Sequence, residues 1–174
     1  SVKINCVPLG IEGQDLCEIA ELARKYPVHV RFIEMMPIGC GMAFKGMSEK
    51  ELTELLENRF GPLTVYRGEP LGNGPSRYYE VEGFAGKLGF ISAVSHKFCK
   101  ECNRIRLTSQ GYLKTCLQYS AGKDLREIIR NGCTDEELQE AILEALDQKP
   151  DGHQFLEKAK ADDTEKLCMS QIGG

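Results

Sequence analysis

No run of apolar side chains in the 174 residues approaches the ~18 that a membrane-spanning helix requires. The first ten residues, Ser1 to Gly10, lack the basic start and long apolar stretch of a secretory signal. There is no basic excess either. Lys and Arg number 22 against 26 Asp and Glu, and the formal net charge of -4 argues against a general nucleic-acid binder, though a few local arginines could still hold one anionic ligand. Internal repeats and low-complexity segments are absent. An initiator methionine is also lacking, and the chain opens directly into a strand-like run, Val2 to Val7, so a piece of a longer protein is expected. These absences predict a soluble, cytoplasmic globular chain with neither a membrane nor a nucleic acid as partner. A composition of 41% hydrophobic and 28% charged residues suits one domain or a domain plus part of another.

Cysteine, by contrast, is abundant, with eight in the chain. An even number could mean four disulfides, but a chain this long with regular helices needs no staples. A close Cys-x-x-Cys pair more often binds metal or does redox chemistry. Cys6, Cys17, Cys40, Cys133 and Cys168 are scattered without a motif and read as small buried or half-buried hydrophobes.

Val2 to Pro8 and Val28 to Met36 are short apolar runs rich in β-branched residues, and Leu16, Ile19, Ala20 and Ala23 between them have helical spacing. Strand, helix, strand predicts a βαβ unit with parallel strands, its helix capped by Asp15 with Glu18. A second helix is expected from Ser48, with Glu51 three residues on, Leu52, Leu55, Leu56 and Phe60 on one face, and a stop at Gly61-Pro62. From Leu63 to Leu117 four strand-like segments (64–66, 78–81, 90–94 and 104–107) alternate with Gly- and Pro-rich turns and predict an antiparallel layer. Helices return at Asp124 to Arg130 and at Thr134 to Leu146, the second opened by a Thr134 and Glu137 capping box and stopped by Pro150. The segment Asp151 to Lys166 reads as solvated. Two parallel strands cannot form a sheet buried on both faces, so the βαβ piece reads as the last part of a larger barrel or sheet whose earlier strands lie upstream of Ser1, and the fold class as α/β passing into α+β, with an antiparallel sheet and helices following.

The chemistry concentrates in Cys99, Cys102 and Cys116, spaced Cys-x-x-Cys-x13-Cys. A pair sharing a turn and a third thiol returning from a hairpin suit one tetrahedral metal or an iron–sulfur cluster. If Ser109-Gln110-Gly111 is a three-residue loop with Gly111 left-handed, residue 108 faces 112, 106 faces 114 and 104 faces 116. Strand alternation then puts Arg104, Arg106 and Cys116 on one face, with Cys102 just before them. Two guanidinium groups beside the thiols would suit an anionic group on the metal; an ordinary solvated strand face is the other reading of the pair. Three cysteines leave one iron of a cubane open, whereas a closed structural zinc site wants four ligands, for which His96 is the candidate. Both readings stay open at this point, as does that of a structural module with an empty site.

Three stretches carry a resemblance: Cys99 to Leu117 with its CNRIRLTSQGYLKTCL core, Arg31-Phe32-Ile33-Glu34-Met35-Met36-Pro37, and the terminal Met169 to Gly174. Together they resemble, in order, the second cluster motif, a strand signature and the double-glycine tail of the GTP 3′,8-cyclase family, radical S-adenosylmethionine enzymes of molybdenum cofactor (molybdopterin) biosynthesis. That resemblance implies an amino-terminal barrel half, with S-adenosylmethionine and its own 4Fe-4S cluster, which this chain lacks. No three cysteines here have the Cys-x3-Cys-x2-Cys spacing, so the stretch by itself is expected to be inactive.

The family forms 3′,8-cyclo-7,8-dihydroguanosine triphosphate by radical attack of the GTP ribose on its own guanine. By resemblance, Cys99, Cys102 and Cys116 hold a second 4Fe-4S cluster, and Arg104, Ile105, Arg106 and Lys3 meet GTP. Met36 would contact S-adenosylmethionine, and Gly173 and Gly174 would form a flexible tail. Arg31 is a weaker candidate for the cavity of Lys3. The implied division is residues 1–62 as the last units of the incomplete barrel, 63–150 as the iron–sulfur and GTP-binding region, and 151–174 as a mobile tail. Lys3 and Met36 are expected at the carboxyl side of adjacent parallel strands, where barrel active sites collect. No catalytic residue is assigned, and a homodimer is left open.

Overall fold

The computed structural model describes residues 1–155 and 164–172. It divides into two compact units, one of Ser1–Met36 with Phe44–Phe98, the other of Pro37–Ala43 with Cys99–Gly174.

The first unit begins with the expected βαβ motif. Strand β1 (Lys3–Cys6), helix α1 (Leu16–Lys25) and strand β2 (His29–Ile33) follow in order, and the two strands run parallel with Lys3 opposite His29. Asp15 caps α1 by accepting the Glu18 N–H at 2.9 Å, and Arg24 and Lys25 in its last turn complement the helix dipole. Helix α2 (Glu49–Phe60) opens with a reciprocal capping box, in which Ser48 Oγ accepts from the Glu51 N–H and the Glu51 carboxylate accepts from the Ser48 N–H.

Strands β3 (Thr64–Val65), β4 (Arg77–Glu80) and β5 (Leu88–Ile91) complete a five-stranded sheet ordered β1-β2-β5-β4-β3. This corrects the separate antiparallel layer expected from Leu63 onward. β5 lies parallel to β2, and only β3, β4 and β5 pair antiparallel among themselves. The strand ends at Ile91 rather than Val94. Leu88, Gly89 and Phe90 are all buried, the mark of a central strand covered on both faces rather than an alternating half-buried one. Gly61-Pro62 ends helix α2 inside the first compact unit, which runs on to Phe98.

Val30 and Phe32 of β2 pair with Leu88 and Phe90 of β5 and join Leu16, Ala20, Ala23, Leu52 and Leu56 of the two helices in one core. Each large side chain there contributes about 1.5–3 kcal/mol by burial. Leu55, expected on the same face, is 37% exposed. By strand alternation Lys3, Asn5, Arg31 and Gly89 stand on the sheet face away from that core.

The second unit holds a three-stranded antiparallel sheet of β6 (Arg106–Leu107), β7 (Tyr112–Lys114) and β8 (Lys123–Asp124), with helices α3 (Leu125–Arg130) and α4 (Asp135–Asp147). Leu113, Leu125 and Ala145 form its apolar centre, flanked by Ile128, Leu138 and Ile142. Asp124 caps α3, and Thr134 with Glu137 caps α4 as expected.

Two expectations fail in this unit. The residues at the edges of the solvated segment are not all solvated: His153 and Glu165 are buried, and Glu165 forms a buried ion pair with Lys114. Beyond them Ile172 is fully buried. Cys40 and Cys168, read as isolated hydrophobes, form a disulfide with Cα atoms 5.1 Å apart, bridging residues 128 apart in sequence. Gly39, beside Cys40, has φ +46, and a side chain there would run into the Leu167 carbonyl. Cys6, Cys17 and Cys133 are free and half-buried, as read. Gly173 and Gly174 lie outside the described residues.

Candidate functional site

Cys99 opens a single 3-10 turn, Cys99–Glu101, closed by the Cys102 N–H donating to the Cys99 carbonyl at 3.1 Å. This turn holds two thiols at a fixed spacing. The third arrives through the hairpin, whose loop follows the turn chemistry of the sequence. Gly111 has φ +82 and donates its N–H to the Thr108 carbonyl at 2.9 Å, while Thr108 Oγ1 accepts from the Tyr112 N–H at 3.1 Å. Arg106 therefore pairs with Lys114 and Leu107 with Leu113, in the expected register. The ladder stops at Arg106. Arg104 and Cys116 are not strand partners, because the chain before Arg106 leaves the sheet to form the cysteine turn.

The electrostatics bring the pieces together. Burial lowers the Arg106 guanidinium below its ordinary value; the thiols of Cys102 and Cys116 act in the opposite direction, and Arg104 adds to the lowering. Arg106 thus lies in the fields of two of the three thiols as well as its neighbouring arginine. Arg104 and Ile105 are exposed, so the segment presents one half-buried and one solvated guanidinium.

All three thiols are free and half-buried. Two accept N–H donors: Cys99 Sγ lies 3.5 Å from the backbone N of His153, and Cys102 Sγ lies 3.7 Å from Lys149 Nζ. A backbone N–H at Cys99 and an ammonium at Cys102 are donors of the kind that suit thiolates ligating an iron–sulfur cluster. Among the described residues no three His, Cys, Asp or Glu side chains converge closely enough to hold a metal ion. A cluster of several irons is wider than one ion, and thiols that each take a different iron need not converge on one point. His96 Nδ1 lies 3.3 Å from Glu49 Oε2.

Lys3 and Met36 are separated by the length of β2. Lys3 is in register with His29, the first residue of that strand, whereas Met36 follows its last residue, Ile33. Their expected placement at the same carboxyl edge is thereby corrected. Lys3 opens its strand, and at ~3.3 Å per residue the distance along β2 is too large for neighbouring side chains. The Lys3 ammonium donates to the Leu71 carbonyl. Arg31, on the same sheet face, donates to Asn5 Oδ1 at 2.8 Å.

Three polar residues escaped the sequence reading. Glu34 accepts from the Val94 and Ser95 N–H groups at 2.8 and 2.9 Å. Glu49 binds Arg77 through both carboxylate oxygens, at 2.5 and 2.7 Å, and also accepts from Ser92 Oγ. Lys149 reaches the cysteine turn from beyond α4. Only Glu34 carried a signal, as part of the strand signature; the others meet partners distant in sequence.

Residues 28–155, which include the whole cysteine hairpin, match the family model described as Molybdenum Cofactor Synthesis C. The chain belongs to that family. Among curated relatives, a GTP 3′,8-cyclase of Clostridium perfringens (strain SM101 / Type A) is 45% identical over 174 residues, covering 99% of this chain and 53% of the relative. One from Syntrophomonas wolfei is 41% identical over 177 residues, with the same two shares. Molybdenum cofactor biosynthesis protein 1 of Dictyostelium discoideum is 37% identical over 158 residues, 87% of this chain and 25% of the relative. The chain spans about half the length of the two cyclases. Among the described residues of this family member, no helix is long and apolar enough to cross a membrane.

Proposed function

We propose that this chain supplies the substrate-positioning half of a GTP 3′,8-cyclase, with Cys99, Cys102 and Cys116 holding a 4Fe-4S cluster and Arg104, Ile105, Arg106 and Lys3 meeting GTP. The observation that carries the reading is the hairpin that sets Arg106 in the fields of both Cys102 and Cys116. The relatives carry the name GTP 3′,8-cyclase, and the reaction we propose for the whole protein is formation of 3′,8-cyclo-7,8-dihydroguanosine triphosphate. Held by these three cysteines, such a cluster would supply an iron without a protein ligand as a site for the guanine.

The chain's own residues then fix the nucleotide. Arg106, half-buried and planar, presents a forked donor set suited to an anionic or carbonyl edge. Arg104 supplies a solvent-exposed charge beside it. Lys3 and Arg31, on the face of β1 and β2 away from the helices, would face the lumen of a barrel completed by further strands, and Met36 beyond β2 would meet S-adenosylmethionine. Holding reacting atoms in a near-attack geometry can contribute roughly 7–11 kcal/mol to the barrier reduction. Without the radical-generating half, the chain alone turns over no GTP.

Anaerobic reconstitution with iron and sulfide tests the reading. A brown chain with iron and sulfide bound, lost in Cys116→Ser, is the expected result; stoichiometric zinc with no sulfide refutes it. In the reconstituted full-length protein, Arg104→Ala or Arg106→Ala should raise the dissociation constant for GTP roughly tenfold or more, because a charge-assisted contact is worth about 1.5–3 kcal/mol. Arg106→Lys should recover only part of that. Iron content should stay at the unmutated level. Unchanged affinity in both alanine variants would make the arginines scaffold.

A further inference from the structure

Lys149 belongs to no motif, yet its ammonium meets three atoms of the cysteine segment. Helix α4 ends at Asp147, Gln148 caps it, and the Lys149 N–H closes on the Leu146 carbonyl at 3.0 Å, so the backbone at this position is fixed before the side chain leaves it. The ammonium then donates to the Cys102 carbonyl at 2.7 Å, to the Arg104 carbonyl at 2.9 Å and to Cys102 Sγ at 3.7 Å. A lysine ammonium has three N–H donors, and all three have an acceptor here. Among the described residues it has no carboxylate partner. Among its partners in the described residues, two carbonyls and a sulfur, the sulfur is the one able to carry an opposite charge.

The chain continues along the same turn. A Cβ at Gly152 would lie 3.5 Å from Cys99 Cβ and 3.7 Å from its Sγ, and the His153 N–H points at Cys99 Sγ. One short segment after α4 therefore touches both cysteines of the pair, through an ammonium at one end and a backbone N–H at the other.

We propose that Lys149 is a positioning residue of the cysteine site: it fixes the backbone between Cys102 and Arg104 and sets the charge environment of the metal-bound Cys102 sulfur. The inference rests on the proposed cluster reading. Its consequences are specific. By tying the Cys102 and Arg104 carbonyls to one atom, the ammonium couples the ligand to the nucleotide-contacting arginine, so that neither can shift alone. By donating to the ligand sulfur it stabilises negative charge on the cluster and makes its reduction easier.

The test uses the 174-residue chain reconstituted with iron and sulfide, comparing Lys149→Met, which keeps the shape of the stem and removes the donors and charge, with Lys149→Arg, which keeps both. Iron retention against a chelator and the reduction midpoint of the cluster are read. The methionine variant is expected to bind iron roughly 10–100-fold less tightly, as outer-shell losses commonly do, and to shift the midpoint to more negative potential; the arginine variant should recover most of both. Wild-type retention and potential in Lys149→Met would overturn the role, as would equal losses in both variants with helix content intact. If the methionine variant does not fold, Lys149→Gln, which keeps donors without charge, takes its place, and an unshifted midpoint overturns the proposal. A wild-type chain that takes up no iron and sulfide refutes the cluster reading itself, and the inference with it.

Discussion

Removing Glu165 is expected to cost the second unit about 3–5 kcal/mol, because it leaves the Lys114 ammonium buried without its counter-charge. The two side chains are 2% and 5% exposed. Lys114 also donates to the Tyr119 carbonyl at 2.8 Å, and Glu165 Oε1 accepts from the Leu167 N–H at 2.8 Å, so the pair sits in a small network that ties β7 to residues 165–167. Urea unfolding of Glu165→Leu should show the full loss. The double variant Lys114→Met, Glu165→Leu should recover much of it, since apolar residues of similar volume replace a buried pair at little cost. A single variant as stable as the parent would mean that the pair is solvated.

The pH dependence follows from the same carboxylate. Burial pushes the Glu165 carboxyl up, but the Lys114 hydrogen bond and charge and the Leu167 N–H more than offset it, leaving the group below its ordinary value. A depressed carboxylate contributes stability that is present above its unfolded value of about 4.3 and lost as pH falls through the folded value. The parent should therefore lose stability in acid below about pH 4 more steeply than the double variant does. Parallel acid profiles would assign the acid sensitivity to other groups.

The disulfide carries the second large effect. Cys40 and Cys168 close a loop of 128 residues, and the chain-entropy relation gives about 4–5 kcal/mol of stabilisation for a loop of that length. Under a dithiol reductant, or in Cys168→Ala, the urea midpoint of the second unit should fall accordingly. Thiol titration of the unfolded, unreduced chain without iron should find six free cysteines of the eight. Eight reactive thiols, with no change of midpoint on reduction, would show that the two sulfurs are not joined in solution. Such bonds are uncommon in reducing compartments, so the oxidised fraction in cells is itself informative about where the chain works.

What the sequence made legible was local. Asp15, the Ser48 and Glu51 pair, and the Thr134 and Glu137 pair each act on groups within a turn of themselves, and all three caps stand where the residues place them. The Gly111 loop likewise set the register of β6 and β7 from three residues. What stayed hidden depended on distant partners. Nothing near Leu88 says that it will lie parallel to Val30, and nothing near Cys40 points to Cys168. At the site, spacing gave the three cysteines and strand parity gave Arg106. Lys149 was missed because it reaches the turn from the far end of a helix whose own signals concern only capping. Lys3 and Met36 were put at one strand end because both flank strands; only the register shows that they flank opposite ends.

The position of β5 between β2 and β4 also sets the order of events as the chain folds. Val30 and Phe32 wait for Leu88 and Phe90, which leave the ribosome roughly 60 residues later; at about 5–20 residues per second that is several seconds. Throughout that interval β2 has an open hydrogen-bonding edge and two bare apolar side chains, with only α1 and then α2 to cover them. Pairing of distant parallel strands is intrinsically slow. Refolding of this unit should accordingly be limited by capture of the 88–91 strand, and nascent chains halted before residue 88 should be the ones that chaperones bind.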